Sequence, residues 1–167
     1  MAHRISLYSL FILLLAVMIS IFWFSSQPAD DSQALSDSLL DRIGKLLSFL
    51  PAFEEDPGKN IRKWAHFFEF SCLGFFSFLF MRELKAFNGK RLIRTALFSL
   101  LFSFLYAASD EIHQIFVPGR SCRLRDIFID SMGAAAGTVF ALLIIYLLIR
   151  KTGRSDHEDT SAREKDH

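Results

Sequence analysis

The sequence predicts an all-α membrane protein with four transmembrane helices and an extra amphipathic helix in the first outer loop. Two observations carry this. The 167 residues are 51% apolar and 14% aromatic, with 19 Phe and a mean hydropathy of +0.30, which is more apolar surface than one small soluble core can bury. The apolar residues also gather into four runs, Ile5–Phe24, Trp64–Met81, Leu92–Ala108 and Ile127–Ile149. Each is close to the roughly 17–25 residues that cross a hydrocarbon core of about 30 Å as helix.

The first run follows His3 and Arg4, as the core of a signal peptide would. It ends, however, in Ile21-Phe-Trp-Phe rather than in small residues before a cleavage site, and Trp23 suits a membrane–water interface. It is read as a retained anchor. Between the first and second runs, Leu35, Leu39, Ile43, Leu46, Leu47 and Leu50 recur at helical spacing, separated by Asp37, Asp41, Arg42 and Lys45. Asp30, Asp31 or Ser32 can cap this helix, and Pro51 lies just past its end. Its apolar stripe either lies along the outer interface or packs over the mouth of the bundle. The Phe-rich stretch Phe67–Phe80 reads as lipid-facing and packing surface. The chain divides into a four-span domain, 1–151, and a charged tail, 152–167, which is expected to be disordered and cytoplasmic.

Lys and Arg set the expected orientation. With the N-terminus inside, cytoplasmic segments hold eleven of the 19 basic residues and outer segments eight. The short 82–94 loop, with Arg82, Lys85, Lys90, Arg91 and Arg94, carries the clearest bias. A plasma-membrane protein with both termini cytoplasmic follows. The near balance of 19 basic against 18 acidic residues argues against a nucleic-acid partner. Two cysteines exclude a disulfide framework or a four-thiolate zinc site. Cys72 reads as a core residue and Cys122 as a loop residue.

Charges inside or beside a span are costly and mark function by default. His66 and Glu69 share a face of span two. Asp110, His113 and Gln114 share one if span three continues as helix past Ala108, with Glu111 beside them. Asp126 and Asp130 share a face at the start of span four, and Gln27 follows span one. In this topology all of them sit at the outer ends of their helices. The Asp126/Asp130 face continues into Gly133 and Gly137, a small-xxx-small pattern that permits close helix approach. Asp130 is therefore expected to point into the bundle, within reach of Arg120, Arg125 or His66, with large apolar changes tolerated on the neighbouring face at Leu142 or Ile145. Pro118-Gly119 signals a turn that brings Arg120, Arg123 and Arg125 back over the carboxylates, where arginine is suited to bidentate pairing.

These residues resemble a known family. Lys63-Trp-Ala-His66-Phe-Phe-Glu69-Phe, the string Ser109-Asp-Glu-Ile-His113-Gln114-Ile-Phe-Val-Pro-Gly-Arg120, and Arg125-Asp126 with Asp130 and Gly133 are similar to the VanZ-like family, as is Phe24-Ser-Ser-Gln27-Pro. The resemblance runs from about residue 5 to 150. It implies a small multi-pass membrane protein of the cell envelope and a link to teicoplanin resistance.

Three readings of function stay open. One is an outward-facing polar pocket, built from Gln27, His66, Glu69, Asp110, Glu111, His113, Gln114, Arg120, Arg125, Asp126 and Asp130, that binds a membrane lipid or lipid-linked cell-wall precursor and lowers glycopeptide sensitivity. The second is an enzyme modifying such a lipid at the outer leaflet, with acids and bases in place but no evident nucleophile. The third is a structural partner of another membrane protein, using the Gly133/Gly137 face or the amphipathic helix. The same polar residues also suit a purely structural network. Two His with several carboxylates form a hard nitrogen–oxygen set, but their spacing matches no zinc signature, so no metal and no cofactor is assigned.

Overall fold

A computed structural model describes the backbone of residues 2–47, 57–84 and 92–165 and the side chains of residues 7–38, 61–84 and 92–151. Among the described residues the chain forms five helices and no strand: α1 (Ala2–Ser25), α2 (Ala29–Leu47), α3 (Pro57–Glu83), α4 (Leu92–Gln114) and α5 (Leu124–Lys165). Four stretches are long and apolar enough to cross a membrane: Leu7–Ser25, Ile61–Glu83, Leu92–Gln114 and Leu124–Lys151.

Each span outruns its apolar stretch in the sequence, because polar residues without a helix breaker continue the backbone hydrogen bonding. α3 starts at Pro57, whose missing N–H belongs to the first turn, where no intrahelical acceptor exists. α4 carries Asp110, Glu111, His113 and Gln114 as helix. It closes in i→i+3 bonds, Phe116 N–H to His113 O at 3.0 Å and Val117 N–H to Gln114 O at 3.1 Å, just ahead of Pro118. α5 stays helical to Lys165, through the segment where the composition had suggested disorder. No proline follows Pro118 in the sequence to stop it.

α2 begins one to three residues before the expected caps. Ser32 N–H donates to Pro28 O at 3.0 Å, so Asp30 and Asp31 fall in the first turn, where negative charge favours the helix dipole. α2 packs on α3, which places its described part against the bundle. Ser36 is the buried residue there, and Leu35 of the expected stripe is 50% exposed. Leu39, Ile43, Leu46, Leu47 and Leu50, like Pro51, lie outside the residues whose side chains are described.

α3 is the centre of the bundle and touches the other four helices. Phe70 and Leu73 pack with Leu14 and Ile21 of α1, Ala107 of α4 and Ala134 of α5. Further along, Phe78 packs with Ala96, Ala141 and Ile145. Phe68 and Phe128 face outward, as lipid-facing rings do. Between the two clusters the contact is small and polar. The carbonyl of Gly74 accepts from Ser77, Ser99 and Thr138 at 3.1–3.2 Å, and Ser77 and Ser99 bond to each other. Hydroxyls and glycines let membrane helices approach closely where apolar surface gives no drive to associate.

The expected glycine stripe is that contact. A Cβ on Gly133 would overlap the carbonyl of Phe67, and one on Gly137 the carbonyl of Ser71. The α5 stripe is thus filled by α3 and is not available to a partner protein. The expected tolerant face needs correction, because Ile145 is 6% exposed and Leu142 is packed against the second cluster. The outward positions include Phe140, Leu143 and Leu147.

Candidate functional site

The C-terminal ends of α1 and α4 and the N-terminal ends of α3 and α5 meet at one end of the bundle, beside the start of α2. The connection between α4 and α5 folds over this end. Gly119 takes φ +73°, a left-handed conformation that costs a residue with a Cβ about 1–2 kcal/mol. A Cβ there would also stand 2.9 Å from the Cβ of Ala29. The turn brings Pro118 O onto Ala29 N–H at 3.2 Å, tying the loop to the start of α2.

Arg120 is the clamp of this end. Its Nε donates to Gln27 O at 2.9 Å, Nη2 to Phe24 O at 3.1 Å and to the Ser32 hydroxyl, and Nη1 to Gln114 Oε1 at 3.5 Å. The guanidinium thus satisfies carbonyls that the end of α1 leaves without intrahelical donors. Burial, and then the nearby Arg62, lower its pKa from the ordinary value, but a guanidinium stays charged. The pairing expected of Arg120 and Arg125 with Asp126 and Asp130 does not occur. None of the site's carboxylates forms an ion pair with arginine among the described residues, and Arg120 is taken up by backbone, hydroxyl and amide oxygens.

Below the loop lies a cavity of about 360 Å³, lined by Arg62, Lys63 and His66 of α3, Glu111 and Gln114 of α4, Arg120 and Arg123 of the loop, and Arg125, Asp126 and Asp130 of α5, with Ala29, Gly119, Ser121 and Ile129. Glu111 accepts from the Arg123 backbone N–H at 2.9 Å. Asp110 is buried beside it. Ser25 Oγ donates to Asp110 Oδ2 at 2.7 Å, and Gln114 Nε2 donates to the same oxygen at 3.0 Å. His66 Nδ1 faces Asp130 Oδ1 at 3.9 Å, which places Asp130 inside the bundle. His66, Asp110 and Asp130 each offer one donor atom within 4.8 Å of the other two.

Seven of the eleven residues chosen from the sequence line the cavity: His66, Glu111, Gln114, Arg120, Arg125, Asp126 and Asp130. Asp110 joins them through Gln114. Gln27 takes part through its carbonyl, while its side chain turns back to Trp23 O at 3.4 Å. Two do not converge on the cavity. His113 stacks on Phe22 with ring centroids 4.6 Å apart, and its Nε2 is 3.1 Å from Ser26 Oγ, so it joins α4 to α1. Glu69 is absent from the lining, and its Oε2 is buried without a hydrogen-bond partner. Arg62, Lys63, Arg123 and Ser25 complete the site beyond those eleven. The two basic residues at the start of span two were visible in the sequence as charges at a helix end. Ser25 stood out only as part of the Phe24-Ser-Ser-Gln27-Pro stretch, with nothing to mark Asp110 as its partner.

The VanZ/LLP1 family model matches residues 10–148, which reaches all four spans and takes in the loop over the cavity. The chain belongs to the VanZ/LLP1 family. It is an integral membrane protein of that family with four apolar helices. No curated protein and no solved structure matches it. The string that resembles the VanZ-like family, from Ser109 to Arg120, is the segment that carries Asp110, Glu111 and Gln114 on α4 and Arg120 on the turn.

Proposed function

We propose that the chain binds the anionic headgroup of a membrane lipid, or of a lipid-linked cell-wall precursor, in this cavity at the outer face of the plasma membrane. Acting there, it lowers sensitivity to glycopeptide antibiotics of the teicoplanin type. The observation that carries the reading is the cluster of Arg62, Lys63, Arg120, Arg123 and Arg125 around one cavity at the membrane end of the helices. No carboxylate of the site pairs with these arginines among the described residues. Cations beside a bilayer attract anionic headgroups, and arginine matches phosphate geometry. Membership of the VanZ/LLP1 family adds the link to the cell envelope.

A polyprenyl phosphate and the corresponding uncharged polyprenol, titrated onto detergent-purified protein and followed by native mass spectrometry, test this. The phosphate is expected to bind at least about tenfold more tightly, a difference of ~1.4 kcal/mol. That preference is expected to vanish in the double variant Arg62→Ala, Lys63→Ala. Equal binding of the two lipids sinks the reading. In a glycopeptide-sensitive host, expression of the wild type is expected to raise the inhibitory teicoplanin concentration and expression of the double variant is not. Modification of the lipid is a second reading, favoured by His66 and Asp130 on the cavity wall. It predicts a change in the mass of the bound lipid with time.

A further inference from the structure

At the floor of the cavity three helices deliver three metal-ligating groups to one point: His66 from α3, Asp110 from α4 and Asp130 from α5. Their donor atoms lie within 4.8 Å of one another. Two donors bound to one divalent cation at about 2.0–2.6 Å stand up to about 4–5 Å apart. The three groups are thus within small side-chain rotations of a common coordination sphere.

These groups do not complete one another. His66 Nδ1 is buried and has no hydrogen-bond partner. Its distance of 3.9 Å from Asp130 Oδ1 is too long for a hydrogen bond. The Asp130 side chain is only 3% exposed and lines the cavity, yet no hydrogen bond reaches it from the described residues. No arginine of the cavity forms an ion pair with it among the described residues, and Arg120 is held by Phe24 O, Gln27 O, Ser32 and Gln114. Buried charge of this kind is offset by a paired charge or by a metal.

Asp110 is held differently. Ser25 and Gln114 both donate to its Oδ2, and no described hydrogen bond falls on Oδ1. A carboxylate fixed through one oxygen presents the other, which is how partners behind a metal ligand orient it.

We infer that His66, Asp110 and Asp130 hold one divalent cation. One imidazole and two carboxylates form a nitrogen–oxygen donor set suited to Mn²⁺, Zn²⁺ or Mg²⁺ rather than to a thiolate-seeking ion. Three protein ligands leave coordination positions open, and those face the cavity through His66 and Asp130, where an anionic oxygen can complete the sphere. The cation site stands apart from the headgroup reading. It is built from the acidic floor of the cavity, while the headgroup reading rests on its basic rim.

Mn²⁺ alone, titrated onto the detergent-purified full chain without added lipid, tests it. Loss of the free Mn²⁺ electron paramagnetic resonance signal is expected to report one ion bound per chain. Pulsed spectra of the bound ion are expected to show nitrogen coupling from an imidazole. Asp130→Asn and His66→Gln are each expected to weaken binding at least about tenfold, while Asp37→Asn, on the exposed face of α2, leaves it unchanged. If the variants fail to fold, the stoichiometry and the nitrogen coupling of the wild type still decide. Absence of saturable binding, a bound ion without nitrogen coupling, or binding that survives in folded Asp130→Asn overturns the inference. None of these outcomes touches the preference for polyprenyl phosphate over polyprenol, and failure of that preference leaves the Mn²⁺ result standing.

Discussion

Ser25 ends α1 fully buried, with its hydroxyl on Asp110 Oδ2. Its replacement by alanine removes one of two donors from a buried carboxylate. Ser25→Ala is expected to lower stability by about 1–3 kcal/mol, read as a lower unfolding midpoint in detergent. Unchanged stability would mean that Gln114 alone suffices. Arg120 makes a sharper test, because its value lies in the shape of the guanidinium. A lysine keeps the charge but cannot reach Phe24 O, Gln27 O, Ser32 and Gln114 together. Arg120→Lys is therefore expected to cost about 1.5–3 kcal/mol, the worth of one hydrogen bond from a charged group. Full stability in the lysine variant would show that charge, not the fork, matters. Such roles were only half legible from residue type. The sequence marks Arg120 as important by its place after Pro118-Gly119, but it suggests carboxylate partners. The carbonyls at the end of α1 take it because that helix end leaves them without intrahelical donors.

Helices α3 and α5 meet through Gly74, Gly133 and Gly137, where each missing Cβ makes room for a backbone of the other helix. Gly137→Ala is expected to force the helices apart and cost about 1–3 kcal/mol, as overpacking does. Leu143→Ala, on the exposed side of the same helix, is expected to stay within about 0.5 kcal/mol. Thermal stability of both variants in one detergent checks this, and equal loss at the two positions would deny the stripe its role. The stripe was legible because period and residue size together encode it. The opposite face was not. In a membrane helix, outward and inward positions are both apolar, so nothing in Leu142 or Ile145 distinguished them from Leu143. On α2 the apolar stripe itself misled: Leu35 belongs to it, yet Ser36 is the buried residue and Leu35 is 50% exposed.

At the scale of the whole molecule, the four span ends that build the cavity lie on one side of the bundle, and the Lys and Arg bias predicts that this is the outer side. Cys122 sits exposed in the loop over the cavity, whereas Cys72 is half-buried within α3. In intact cells of a Cys72→Ser strain, a membrane-impermeant maleimide is expected to label Cys122 without permeabilisation. Labelling that needs permeabilised cells would invert the orientation and move the cavity to the cytoplasmic side. Reporter fusions after Asn60 and after Asn88 are expected to agree, the first active outside the cytoplasm and the second not.

The sequence by itself determined the class, the number of spans, the VanZ kinship and the end of the bundle at which the ionisable groups gather. All of these follow from period, length and residue type along one helix at a time, which local chemistry encodes. The partners were decided by tertiary structure. Nothing along the chain says that Ser25 meets Asp110 from 85 positions away, or that His113 turns to Phe22 rather than to the cavity. Those contacts depend on the rotation of each helix about its axis and on the approach set by the glycine stripe. Rotation is a property of the packed bundle, because an apolar helix in lipid carries little amphipathic signal to set it in advance.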